Sequence, residues 1–293
     1  MSDSKLKSIE DYKNEVLQLK AEIQIKDQEI HLYKKELLKF SHQLDSVMIQ
    51  ISSDFDILKK IQKVLAPTEI PTIQGFEFSK KFVFGTKYGG DYFDIFEHED
   101  KMKFGVLLSS SSGYAMSALF LSLVLKVSHM MEAKKGLPPD RVLFQLANEL
   151  KSLANEKDAT DVFYAVIDRR DLSLTFCAAG RICGFLQTPG EPLKILSSKV
   201  GGLSALFNDD LHSLQIDLQP KSRLTLVSKG VLEVLDPDGL CEMLSGLDPQ
   251  STVHDIRNEV LFQSHKKTGL EHPLKDQTVV VVEVKDRVIK LAK

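Results

Sequence analysis

The sequence contains little cysteine and no disulfide pattern. Its three cysteines, Cys177, Cys183 and Cys241, are spread over 293 residues, and none of them forms a C-x-x-C pair. So few cysteines exclude a disulfide-stabilised secreted fold, and no histidine cluster completes a zinc-site pattern around them. We therefore expect free, buried thiols in a protein of a reducing compartment.

The chain also lacks a membrane segment and an excess of basic charge. The most apolar run, residues 118–127, is interrupted by Ser122 and Lys126 and is shorter than the roughly 18 residues that a spanning helix needs. The charged N-terminus has no apolar core of a signal peptide. Lys and Arg number 38 against 41 Asp and Glu, a net charge of −3, which argues against a general nucleic-acid binder. We expect a cytoplasmic protein without nucleic-acid partners or membrane insertion.

Glycine and proline are absent from residues 1–60, and a heptad repeat occupies this segment. Its d positions are mostly apolar, with Lys26 and Asp54 as exceptions. A repeat of about 3.5 residues predicts a coiled coil, and β-branched residues at the first a positions favour two parallel strands. We expect residues 1–55 to dimerise the chain, with itself or with a related chain. The alternative is one amphipathic helix lying on the globular part. The a positions are Ile9, Val16, Ile23, Ile30, Leu37, Leu44 and Ile51.

Residues 56–72 are predicted to be a linker helix that stops at Pro67 and Pro71, and residues 73–293 to be one globular domain. Groups of short strands separated by helices do not fit a βαβ repeat. They predict an α+β fold in which two antiparallel sheets pack as a sandwich with helices on the outer faces. The predicted strands are 76–84, 92–97, 103–109, 162–168, 172–178, 183–187, 211–218, 222–228 and 278–284. The predicted helices are 115–133, 140–154 and 251–263.

Six segments occur in an order that resembles a known family. They are IQKVLAP (61–67), GGDYFD (89–94), SSSSGYAMSAL (109–119), FYAVID with TFCAAGR (163–181), LQPKSRLTLVSKG (218–230) and KDQTVVVV (275–282). Residues 55–285 thereby resemble a bacterial PPM-type (protein phosphatase 2C-like) domain of the SpoIIE kind. The resemblance implies an α-β-β-α sandwich that hydrolyses phosphoserine or phosphothreonine with water activated between two Mg²⁺ or Mn²⁺ ions. It also implies anti-sigma-factor antagonists of the partner-switching kind as partners.

The metal-binding aspartates that the resemblance implies are mostly replaced in this chain. Hard dications take oxygen ligands, and two of them held close together need several carboxylates. Asp91 of the GGD motif is retained. The second aspartate is Ser110 here (Ser109 if the alignment slips by one), and the acid of Thr-Asp-Gly is Lys229. The first aspartate of the final Asp-Asp-x-Thr motif is Lys275.

These replacements remove three negative charges and add two positive ones. At an effective dielectric constant near 20, an ammonium about 4 Å from a dication is opposed by about 8 kcal/mol. The sequence therefore predicts no cofactor and a pseudophosphatase that regulates other proteins by binding them. The alternative is an active phosphatase with a reduced site, in which Asp91, Asp94 and Asp276 hold one Mg²⁺ or Mn²⁺ ion.

Two interpretations of the new cations stay open. Lys229 and Lys275 could neutralise Asp91 and Asp94 in place of the ions. Together with Arg181, which replaces the histidine of the family's Ala-Gly-His motif, they could instead bind the phosphate of a phosphorylated partner. That partner would be an anti-sigma antagonist, and an active phosphatase could pair through the coiled coil. The serine run 109–112 is predicted to be a polar loop.

Overall fold

The structure is a computed structural model that describes residues 9–65, 70–86, 90–111, 136–153 and 158–286. The chain divides into two compact units, Met1–Ile57 and Leu58–Lys293. Helix α1 (Ile9–Leu65) runs for 57 residues without interruption, as expected for a segment free of glycine and proline. In the part of the chain that the structure describes, no helix is both long and apolar enough to cross a membrane.

The apolar residues at the a and d positions of α1 from Ile9 to Val47 are exposed to solvent within the single chain. Ile9 is 79% exposed, Ile23 60% and Leu37 75%. A helix with such a stripe and no covering layer has apolar surface available for another helix. The coiled coil itself stays a prediction.

Eleven described strands form two antiparallel sheets. The strands are β1 (Phe76–Val83), β2 (Asp91–Glu97), β3 (Lys103–Ser111), β4 (Ala159–Asp168), β5 (Ser173–Ala179), β6 (Cys183–Gln187), β7 (Lys194–Leu196), β8 (Leu203–Ser204), β9 (Leu214–Asp217), β10 (Arg223–Val227) and β11 (Gln277–Val284). The first sheet has the order β1-β11-β10-β6-β7, and the second has the order β2-β3-β4-β5-β9 with β8 paired to β4.

Alternation along the strands separates an inner core from two outer ones. In β11, Val280 and Val282 belong to the core between the sheets, whereas Val279 and Val281 face the opposite side. Because successive side chains point to opposite faces, an uninterrupted apolar strand has both faces covered. Helix α2 (Pro139–Leu153) packs in the outer core of the second sheet. Helices α3 (Lys229–Leu232), α4 (Pro237–Ser245) and α5 (Val253–Thr268) share the outer core of the first.

The predicted two-sheet sandwich with flanking helices is confirmed. The predicted helix 115–133 lies outside the described residues. Helices α3 and α4 and the short strands β7 and β8 were not predicted. Asp236 followed by Pro237 is nevertheless a helix-start signal that the structure uses, since the Asp236 side chain accepts from the Gly239 N–H. Cys177 and Cys183 are buried and Cys241 is half-buried, all three as free thiols.

The prediction of a loop for the serine run 109–112 was wrong at Ser110 and Ser111, and Ser109 was correctly placed at the end of the predicted strand 103–109. Ser109, Ser110 and Ser111 continue β3 and are paired in register with residues of β4. Buried hydroxyls are tolerated here because each has a partner. Ser109 Oγ donates to the Tyr92 carbonyl at 3.3 Å, and Ser111 Oγ lies 3.0 Å from Thr160 Oγ1.

Candidate functional site

Three neighbouring strands of the second sheet align three polar residues in one row. Asp91 of β2 is the register partner of Ser110 of β3, which is in turn the partner of Asp161 of β4. Leu108 of β3 is two residues from Ser110, and Phe163 of β4 is two residues from Asp161. Both lie in the core between the sheets. Directly opposed residues share a face, so Asp91, Ser110 and Asp161 lie on the inner face where that apolar core ends.

The Asp91 carboxylate is held by hydroxyl groups from both sheets. Ser110 Oγ donates to Asp91 Oδ1 at 2.7 Å, and Thr278 Oγ1 donates to Asp91 Oδ2 at 2.8 Å. The Ser228 side chain is also hydrogen-bonded to Asp91, and its hydroxyl accepts from the Thr278 N–H at 3.0 Å. Asp91 is 6% exposed. Asp91 pairs in register with Ser110 and not with Ser109, so Ser110 is the serine that stands opposite the retained acid.

The electrostatic environment of Asp91 favours its protonated form. Burial and the neighbouring Asp276 carboxylate raise the pKa of Asp91 to about 7, against the lowering effect of hydrogen bonds from Ser228, Ser110 and Thr278. Because the folded protein keeps this proton where the unfolded chain loses it, stability falls as the pH rises from about 4 to about 7.

We expect Asp91→Asn to remove this pH dependence. The amide carries no charge, so the stability of the variant relative to the natural chain should rise by about 3 kcal/mol between about pH 5 and about pH 8. The measurement is thermal unfolding at both pH values. Asp217→Asn, at an exposed position of β9, is the matched control. Parallel pH curves for the Asp91 variant and the natural chain would contradict the expectation.

Asp276 binds the backbone at Gly85, Gly90 and Asp91. Its Oδ1 accepts from the Gly85 N–H at 2.8 Å, and its Oδ2 accepts from the N–H groups of Gly90 at 3.0 Å and Asp91 at 3.4 Å. Charge-assisted hydrogen bonds from backbone donors stabilise a buried carboxylate of this kind. Asp276 is 3% exposed.

The reduced metal site predicted from Asp91, Asp94 and Asp276 is not assembled. Asp94 follows Asp91 by three residues in the same strand, so the two side chains point to opposite faces of β2. Tyr92, which belongs to the outer core, donates its hydroxyl to Asp94 Oδ2 at 3.0 Å. Only Asp91 and Asp276 of that set lie together.

Lys229 pairs with Asp161, not with Asp91 or Asp94 as one interpretation of the sequence suggested. Lys229 Nζ lies 3.2 Å from Asp161 Oδ2, with side-chain exposures of 22% and 7%. Two glycines make room for this carboxylate: a side chain at Gly180 would overlap Asp161 Oδ1, and one at Gly202 would come within 2.6 Å of it. Gly180 also has a φ of +84°, a conformation that favours glycine.

The other predicted cations lie elsewhere. Lys275 Nζ contacts Glu233 Oε1 at 2.6 Å in a half-exposed ion pair, with side-chain exposures of 43% and 40%, so its pairing with Asp91 or Asp94 was also wrong. Arg181 is exposed. The predicted phosphate-binding cluster of Lys229, Lys275 and Arg181 stays a prediction, and each lysine in it already has a carboxylate partner.

The described residues do not fit a two-dication centre. Within the described ranges, no group of three or more His, Cys, Asp or Glu side chains stands close enough to hold a metal ion. The retained Asp91 accepts hydrogen bonds from hydroxyl groups, and the neighbouring Asp276 carboxylate accepts from backbone N–H groups. The nearby Asp161 is paired with Lys229. Two hard dications need several free carboxylates, and this arrangement does not supply them.

Sequence reasoning missed Asp161 and undervalued Asp276. The available signal for Asp161 was an acid at the start of a strand that is otherwise apolar, since such a residue needs a partner once it is buried. From the sequence, Asp276 was predicted only as a ligand of the alternative reduced metal site, together with Asp91 and Asp94. Consecutive residues of an extended segment point to opposite sides, so one faces Asp91 and the other faces Glu233.

Comparison with known proteins identifies the family. The family described as Stage II sporulation protein E (SpoIIE) matches residues 100–285, which is more than half of the chain. Phosphoserine phosphatase RsbP of Bacillus subtilis (strain 168) is 22% identical over 242 residues, covering 79% of this chain. The chain spans 58% of the length of that relative.

Solved structures have the same fold. The SiaA-PP2C domain of Pseudomonas aeruginosa superposes with a TM-score of 0.67 at 18% identity, covering 82% of this chain and 99% of that one. The PP2C phosphatase domain of SpoIIE from Bacillus subtilis, solved with a fragment of its regulatory domain, gives a TM-score of 0.62 at 16% identity, covering 74% and 64%. The chain therefore belongs to the SpoIIE family of PPM-type phosphatase domains.

Proposed function

We propose that this protein is a pseudophosphatase: a cytoplasmic regulatory module of Ser/Thr phospho-signalling that binds other proteins and has lost two-metal hydrolysis. One observation carries the proposal. The carboxylate that would hold an ion, Asp91, is hydrogen-bonded by Ser110 and Thr278, and Lys229 neutralises the only other acid in its row, Asp161. Without an ion in this place, no water is activated for attack on a phosphoester.

The proposed partners are small phosphoregulated proteins of the partner-switching type. The family resemblance supports this class, and the relative RsbP is by its name a phosphoserine phosphatase. A chain that keeps the binding surface of such a phosphatase but not its chemistry would hold the partner and shield it from active enzymes. The same chain could also act on an active phosphatase by pairing with it.

We expect no release of phosphate from a phosphoserine peptide in the presence of Mn²⁺, because the ligands for the ion are missing. The measurement is the phosphate released by the full chain, with Asp91→Ala as the control. Equal background rates support the proposal. A rate that Asp91→Ala abolishes would establish the alternative, an active phosphatase with a rewired metal site.

We propose further that α1 joins two chains through its heptad seam. Its support is the exposure of the apolar a and d residues, among them Val16 at 50%, Ile30 at 49% and Leu44 at 64%. A seam of this length buries enough apolar surface for a stable pair only when it meets a second helix of the same kind.

A further inference from the structure

Charged residues flank the apolar seam of α1 in a regular order. With Ile9 at position a, the four g positions from 15 to 36 are all glutamate: Glu15, Glu22, Glu29 and Glu36. Four e positions carry a charged residue. One is Asp27, and the other three are Lys13, Lys20 and Lys34. These side chains are exposed, apart from the half-buried Glu29. Residues at e and g border the seam and set partner choice and orientation in coiled coils.

A parallel arrangement makes most of these charges attractive. In a parallel, in-register pair, each g residue faces the e residue five positions later on the other helix. Glu15 then faces Lys20 of the second copy, and Glu29 faces Lys34 of the second copy. Two-fold symmetry doubles each contact, which gives four attractive pairs. Glu22 against Asp27 is the one unfavourable combination.

An antiparallel arrangement reverses this balance. There g residues face g residues, so glutamates of one helix would approach glutamates of the other. The charges on this helix are therefore complementary to a second copy of the same helix in one direction only. No other chain is needed to satisfy them.

Lys26, the polar residue at a d position, fixes the register. In register, both Lys26 side chains share one layer of the seam. A shift by one heptad would place each of them against Leu19 or Tyr33 and disrupt two layers. Lys26 Nζ donates to Glu29 Oε2 of its own helix at 2.8 Å, so its charge is compensated at the border of the seam. A single polar residue in a seam commonly specifies register at some cost in stability.

We infer that α1 forms a parallel, in-register pair with a second copy of this chain. This inference rests on the dimerisation proposed above and adds the partner, the direction and the register. It predicts that the two α1 helices end at the same side of the pair, so that both chains continue into their globular units from there.

Cysteine cross-linking tests the direction. Leu19→Cys and Leu44→Cys are introduced separately into the full chain with Cys241→Ser, since Cys177 and Cys183 are buried. With a short bis-maleimide, each variant alone should form a covalent dimer, and a mixture should give 19–19 and 44–44 products. The parent Cys241→Ser chain is the control. A 19–44 product would show an antiparallel pair and overturn the inference.

Charge inversion tests the partner. Lys20→Glu with Lys34→Glu should weaken self-association at low salt at least about tenfold, and so should Glu15→Lys with Glu29→Lys, because each makes all four pairs repulsive. Mixing the two variants restores four attractive pairs, so light scattering should show the dimer again. Unchanged self-association of either variant would overturn the inference. A monomeric natural chain would overturn the dimer itself, whatever the result of the phosphate-release assay.

Discussion

Lys229→Met is expected to lower the free energy of unfolding of the globular unit by about 3 kcal/mol. The substitution keeps the aliphatic part of the side chain but leaves the Asp161 carboxylate, 5% exposed as a residue, without its cation. Removing one partner of a buried ion pair costs about 3–5 kcal/mol, since the other charge stays desolvated. We expect a loss at the lower end of this range because the Lys229 side chain is partly exposed. Calorimetry of the full chain measures the loss.

Two further variants make this prediction specific to the buried pair. Lys275→Met removes a lysine of equal charge from the half-exposed pair with Glu233 and should cost less than about 1 kcal/mol. Adding Asp161→Asn to Lys229→Met should recover part of the loss, because the uncompensated charge disappears. Equal small effects of Lys229→Met and Lys275→Met would show that the Asp161 contact does not support the fold.

Gly180→Ala is expected to be the second strongly destabilising change, by about 3 kcal/mol. About 1 kcal/mol arises from placing a side chain at a positive φ. The remainder arises because the new methyl group would overlap the Asp161 carboxylate and push it away from Lys229. The measurement is again the unfolding free energy.

Gly190→Ala separates the two contributions. Gly190 has a φ of +79°, close to the +84° of Gly180, but a side chain there would meet no atom within 4 Å. It should therefore lose only the backbone part, about 1 kcal/mol. A Gly180→Ala variant that is no less stable than Gly190→Ala would mean that the carboxylate moves aside freely, and the tight enclosure of Asp161 would be refuted.

The sandwich was predictable from the sequence because its signals are local. Runs such as 278–284 are short and β-branched, and turn residues separate them, so the strands could be placed within a few residues. The resemblance to the SpoIIE family supplied the order of the motifs and the positions Asp91, Ser110, Lys229 and Lys275. These positions depend on the linear order of residues, which a sequence contains.

The pairing of the charges was not predictable in the same way. Lys229 follows β10 of the first sheet and Asp161 belongs to β4 of the second, about seventy residues earlier in the chain, so their contact depends on how the two sheets pack. The side chain of Asp276 points into the protein, so the side chain of the preceding Lys275 points outward and contacts Glu233, which follows α3. Which of two adjacent polar residues points inward is decided by the register of β11 with β1 and β10, and not by either residue alone.

The Asp161–Lys229 pair also has a consequence for the history of the sequence. An aspartate in place of Lys229 would set two acids against each other beside the buried Asp161, and an aspartate in place of Ser110 would stand between Asp91 and Asp161. Each reversal alone would weaken the fold before any ion could compensate it. Under the proposed function, single substitutions would therefore destabilise the fold before they restored a metal site, and a loss of phosphatase activity would be hard to reverse by gradual change.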